Sequence, residues 1–138
     1  MAIKRSASAN WKGSGKEGKG TLNSTSGVLS NTQYSYNTRF EDGVGTNPEE
    51  LVAAAHAGCF SMKLAFVLQG AGITADSIDT TATAVLDNGV ITEVLLATSV
   101  KAAGLTKEQL AAHAQDAKDN CPISKSLTAQ ISLETTLL

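Results

Sequence analysis

The chain has 138 residues, of which 42% are hydrophobic, 17% charged and 4% aromatic, with a formal net charge of -2. That length suits one domain, residues 1–138, with a real core. The charge leaves no basic footprint for nucleic acid, and so few aromatics argue against a base-stacking surface. The N-terminal stretch MAIKRSASANW lacks the apolar core of a signal peptide, so a cytoplasmic location is expected. The longest apolar stretch, Leu51 to Leu68, is interrupted by His56, Gly58, Cys59, Ser61 and Lys63. It reads as a central buried helix rather than a membrane span, which needs a longer and cleaner apolar run.

In chain order, Arg5 to Trp11, Gly20 to Ser26 and Tyr34 to Phe40 alternate as strands, parted by the glycines of Gly13 to Gly20 and by a Ser30–Asn31 turn. A loop, Glu41 to Thr46, precedes a helix start in which Asn47 caps, Pro48 takes the first position and Glu49 and Glu50 fill the first turn. That helix runs to about Gly70. Ser77 to Asp87 and Val90 to Lys101 form a hairpin about Asp87-Asn88-Gly89. Thr106 caps a second helix with Gln109 in the capping-box position, and Pro122 ends it near Asn120. The tail, Ser126 to Leu138, alternates as a half-buried strand. The order is βββ-α-ββ-α-β, an α+β fold with antiparallel-rich sheets around a long buried helix. The first helix is apolar nearly all round, which points to a partner subunit.

Two cysteines stand out. Cys59 lies mid-helix in Ala-His-Ala-Gly-Cys-Phe-Ser-Met, and Cys121 follows the second helix in Asn-Cys-Pro-Ile-Ser. A reducing cytoplasm disfavours a structural disulfide, leaving two free thiols or a redox pair. Taken alone, Cys59 fits a small apolar group filling a core position. A reactive thiol needs a positive neighbour, and Arg39, Lys63, Lys125 and His56 are the candidates. No Cys-x-x-Cys or His-x-x-x-His spacing supports a metal, and no phosphate loop or serine-nucleophile motif is present. His56 shares a helix face with Cys59 and can act as a base, although packing alone accommodates such a histidine. Phe60, Met62 and Phe66 read as core, or as the walls of an apolar pocket.

The segments Asn37-Thr38-Arg39-Phe40-Glu41, Thr46-Asn47-Pro48-Glu49-Glu50-Leu51 and Ala53 to Met62 together strongly resemble the OsmC/organic hydroperoxide resistance family, in its osmotically inducible protein C branch. Gly18 to Thr21, Ser26 to Leu29, Ser77 to Ala82 and Cys121-Pro122-Ile123-Ser124 extend the resemblance over essentially the whole chain. The resemblance implies an intertwined homodimer that reduces organic hydroperoxides and hydrogen peroxide without a cofactor or metal. Cys59 matches the peroxidatic cysteine, Cys121 the resolving one, and Arg39 and Glu49 the polarising pair. A small or protein dithiol then serves as reductant.

These residue types suit that chemistry. Attack on an O–O bond needs a thiolate. Cys59 lies too deep in its helix to feel the N-terminal dipole, so a guanidinium, which stays charged when partly buried, is the fitting cation. Ten helical residues separate Glu49 from Cys59, about 15 Å of rise. Either Arg39 bridges a bent helix or the glutamate comes from an antiparallel partner helix. The second option also covers the apolar helix and places the active sites at a two-fold interface. The alternatives are a non-catalytic protein that binds a small ligand or senses redox state on the same fold, or a structural dimeric module.

Overall fold

The computed structural model describes residues 1–40 and 43–138, so the loop reading at Glu41 and Asp42 lies outside the described residues. Two compact units are distinguished, Met1–Leu51 and Val52–Leu138.

In the first unit β1 (Ala7–Lys12), β2 (Lys19–Ser24) and β3 (Thr32–Tyr34) form an antiparallel sheet in that order. Its register pairs Ala7 with Ser24 and Gly20 with Tyr34. Trp11 and Tyr34 meet in a tilted pair, 5.4 Å between ring centres, across β2 over Gly20, where an added Cβ would collide with both rings. The third strand lies earlier than the Tyr34 to Phe40 that alternation predicts and is shorter: it runs Thr32–Tyr34, ending where the expected strand begins, and Asn37–Arg39 form a 3-10 turn. Hydroxyls divert the backbone there: Ser35 N–H donates to Thr38 Oγ1 at 3.0 Å and Thr38 N–H to Ser35 Oγ at 3.2 Å. Arg39 therefore sits on a turn rather than in a strand.

The helix α1 (Pro48–Gly70) begins as its sequence predicts. Asn47 Oδ1 accepts from Glu50 N–H at 2.8 Å, and Asn47 Nδ2 donates to Thr38 O at 3.0 Å. The buried residues of α1 are His56, Phe60, Leu64 and Leu68, a single row at four-residue spacing. By length and composition α1 is also apolar enough to cross a membrane, a property it shares with core helices of soluble proteins.

In the second unit β4 (Ser77–Asp87) and β5 (Val90–Lys101) form the expected hairpin, with Asn88 and Gly89 at positive φ (51° and 76°) in its turn. The helix α2 (Lys107–Asn120) carries the full capping box between Thr106 and Gln109. A further short helix, α3 (Pro122–Ser126), follows at once. Pro122 stops α2, and the same fixed φ suits it to the first position of a new helix. The last strand, β6 (Gln130–Leu137), therefore starts later than its alternation suggests. It pairs parallel to β5, from Glu93 opposite Gln130 to Val100 opposite Leu137. A helical crossover allows this direction where a tight turn does not. Phe60, Leu64 and Leu68 join Val94, Leu96 and Val100 of β5, Leu110, Ala114 and Ala117 of α2, and Cys121 in one core. Burying each of the large side chains contributes about 1.5–3 kcal/mol.

Candidate active site

Each unit assembles one pair of the residues singled out from the sequence. In the second unit the two sulfurs face each other. Cys59, half-buried on α1, has the Cys121 thiol beside it, together with the Ile123 backbone N–H. Cys121, fully buried between α2 and α3, is free, as is Cys59. Its backbone is held from both sides: its N–H donates to Ala117 O at 2.8 Å, and its carbonyl accepts from Lys125 N–H at 3.0 Å. The junction is thus a pinned corner rather than a loose turn.

The two thiols are tuned apart. Burial pushes the Cys59 pKa above the ordinary thiol value, and the neighbouring Cys121 adds to this, while the Ile123 N–H and the Lys63 charge pull the other way. Burial also opposes ionisation of Cys121, but the Ser124 N–H, the Cys59 thiol, the Ser124 hydroxyl and the Ile123 N–H outweigh it and bring its pKa down. The Ile123 and Ser124 donors belong to the first turn of α3, which Pro122 starts immediately after Cys121, whereas the Cys59 thiol comes from α1.

His56 does not pair with Cys59. It is fully buried, and its Nε2 lies 2.7 Å from the Ser124 hydroxyl oxygen. Burial lowers its pKa, so the imidazole is held neutral. Its Nδ1 has no hydrogen-bond partner among the described residues. Ser124 is the participant that sequence reasoning passed over. The available signal was its place three residues after Cys121, behind a proline fit to start a helix.

In the first unit Arg39 Nε and Glu49 Oε1 form an ion pair at 2.7 Å within one chain. The 3-10 turn that carries Arg39 is stapled to the start of α1. Thr38 Oγ1 lies 2.8 Å from Thr46 O, Asn47 Nδ2 reaches Thr38 O, and Thr46 Oγ1 donates to Glu50 Oε2 at 2.6 Å. The second Glu49 oxygen, Oε2, is buried with no partner among the described residues. Of the three apolar residues near Cys59, Phe60 is core, whereas Met62 and Phe66 are exposed. Two apposed thiols of unequal acidity can support nucleophilic thiol chemistry and disulfide formation.

Comparison with known proteins agrees with the sequence resemblance. The family model for OsmC-like protein matches residues 40–136. The chain is 46% identical to Peroxiredoxin OsmC of Escherichia coli (strain K12), an alignment that covers 97% of this chain and 96% of that protein. An OsmC-like protein of unknown function from Vibrio cholerae shares its fold, with a TM-score of 0.78 at 21% identity over 97% of this chain and 99% of that one. The organic hydroperoxide resistance protein OhrB of Bacillus subtilis matches at a TM-score of 0.65 and 26% identity, over 96% and 98% of the two chains. The chain belongs to the OsmC-like family.

Proposed function

We propose that this protein is a thiol-dependent peroxidase that reduces organic hydroperoxides and hydrogen peroxide with Cys59 as nucleophile and Cys121 as resolving thiol. The observation that carries the reading is the direct apposition of the two free sulfurs in a chain this close to a peroxiredoxin. The Cys59 thiolate attacks one peroxide oxygen, the O–O bond breaks, and an alcohol or water departs as Cys59 becomes a sulfenic acid. Cys121 attacks that sulfur, water leaves, and a disulfide forms. A small or protein dithiol in the cytoplasm restores both thiols by exchange.

The burial that raises the Cys59 pKa makes a cation necessary, and Arg39 is the residue we assign to supply it. Glu49 fixes its guanidinium, and Arg39 also stabilises charge on the departing oxygen. The Arg39–Glu49 pair forms within one chain, so no partner glutamate is required to hold Arg39. We further propose that the two units act as one domain and that the working form is a homodimer. Cys59→Ser is expected to abolish peroxide consumption, and Cys121→Ser to leave a Cys59 sulfenic acid that overoxidises. Non-reducing peptide mass analysis after one equivalent of peroxide should show a Cys59–Cys121 bond absent beforehand. Its failure to appear in a parent that consumes no peroxide would return the chain to non-catalytic ligand binding, and full turnover by the Cys59→Ser protein would remove Cys59 as the nucleophile.

A further inference from the structure

We propose that Ser124 and His56 form a proton relay serving Cys121, in which Ser124 Oγ takes the Cys121 proton while passing its own to His56 Nε2. The inference rests on the peroxidase reading above and concerns its second step.

Cys121 has 0% exposure, so bulk water cannot take its proton directly. The thiol must lose that proton to attack the oxidised sulfur of Cys59. Ser124 stands in the first turn of α3, the helix that Cys121 precedes, and its hydroxyl lies 2.7 Å from a fully buried imidazole nitrogen supplied by α1. Such a serine–imidazole contact is the arrangement through which a neutral histidine accepts a proton by way of a hydroxyl. Burial keeps His56 uncharged at rest, and the same desolvation makes its imidazolium short-lived, so the proton it takes is readily returned.

The step balances as follows. The Cys121 S–H bond breaks, its proton moves to Ser124 Oγ, and the Ser124 proton moves to His56 Nε2. The Cys121 sulfur, now a thiolate, forms the S–S bond as the S–O bond of the Cys59 sulfenic acid breaks. The departing hydroxide takes the proton back along the same path and leaves as water. The Cys121 sulfur is oxidised and the Cys59 sulfur reduced, with no further oxidant or reductant. His56 acts through Ser124 and is a positioning and proton-holding residue, while Ser124 is the group assigned to take the proton from the sulfur.

The test is single-turnover stopped flow on the reduced full-length protein with one equivalent of cumene hydroperoxide, following sulfenic acid and then disulfide formation. His56→Gln keeps a polar group near Ser124 but cannot hold the proton. Ser124→Ala removes the hydroxyl, and Ser124→Thr retains it. The expected result is that His56→Gln and Ser124→Ala each lower the rate of disulfide formation relative to that of sulfenic acid formation at least tenfold. Ser124→Thr should recover most of that ratio. In the parent, disulfide formation should show a solvent deuterium effect that the Ser124→Ala protein loses. A merely structural role changes both steps alike and leaves the isotope effect in place, and that outcome overturns the relay. An unchanged ratio in Ser124→Ala overturns it equally, even where His56→Gln fails to fold. A parent that neither consumes peroxide nor forms a Cys59 sulfenic acid overturns the peroxidase reading itself. A parent that forms both the sulfenic acid and the disulfide, with the ratio unchanged in Ser124→Ala, overturns the relay alone, which separates the two failures.

Discussion

At Cys59 two opposed influences meet. Burial and the adjacent Cys121 favour its neutral thiol, and the Ile123 N–H and Lys63 favour the thiolate. The net direction is upward, so without further help the nucleophilic form is scarce near neutral pH and grows as pH rises. Arg39 is assigned the opposing task. Arg39→Met is therefore expected to shift the rise of the pH–rate profile for peroxide attack to higher pH. It should also lower the rate at pH 7 on the order of a hundredfold, as for loss of one preorganised donor. Stopped-flow measurement across pH 6 to 10 checks this, and a profile that does not move removes Arg39 from the activation of Cys59. Two pairings named by the resemblance are found in the structure, Cys59 beside Cys121 and Arg39 held by Glu49. The partnership of His56 with Ser124 was not legible in the sequence. It joins side chains far apart in the chain through a hydroxyl, and no periodicity records such a meeting.

Among the elements, legibility followed the reach of the forces involved. The start of α1, the hairpin of β4 and β5, and the capping box of α2 all rest on bonds within a few residues, and each appears where its sequence places it. Where competition was local but subtle, the reading went astray. Alternation places the third strand at Tyr34 to Phe40, but the strand is Thr32–Tyr34, and hydroxyls at Ser35 and Thr38 turn the chain after it. Alternation also marks β6 as half-buried without saying which way it runs, because period-two patterning is the same in parallel and antiparallel pairs. Asn47 does double duty, capping α1 and tying it to the turn of Arg39. Asn47→Ala is expected to cost about 1–2 kcal/mol of stability, at the upper end for a helix cap. Thr106→Ala, whose cap serves only α2, should cost about 1 kcal/mol. Urea unfolding of both proteins gives the comparison, and a larger loss from Thr106→Ala would show that the tie between Asn47 and Thr38 adds nothing.

For the molecule as a whole, the decisive quantity is how little of α1 one chain covers. Its sequence is apolar on nearly every side, yet only the His56, Phe60, Leu64 and Leu68 row is buried, and Phe66 and Met62 stand 64% and 61% exposed. Both lie on the helix that carries Cys59, so a surface covering them also borders the nucleophile. Large side chains left in water on one helix favour association, each contributing about 1.5–3 kcal/mol when fully covered. A two-fold axis lets the same patch serve both copies, which is why a second copy of this chain is the partner we assign. Sedimentation at about 10 µM, a concentration that populates a dimer held by more than about 7 kcal/mol, should therefore give twice the 14.2 kDa chain mass. Phe66→Glu places a charge in that patch and should shift the protein to monomer. Far-UV circular dichroism of the variant should stay close to the parent's, since an exposed side chain supports little within its own chain. Parent protein sedimenting at 14.2 kDa would remove the dimer. A dimeric Phe66→Glu protein would instead move the interface off this face of α1. Peroxidase activity separates one more point: if the monomeric variant turns over at the parental rate, each chain holds a complete site, and the Arg39–Glu49 pair formed within one chain serves that chain's own Cys59.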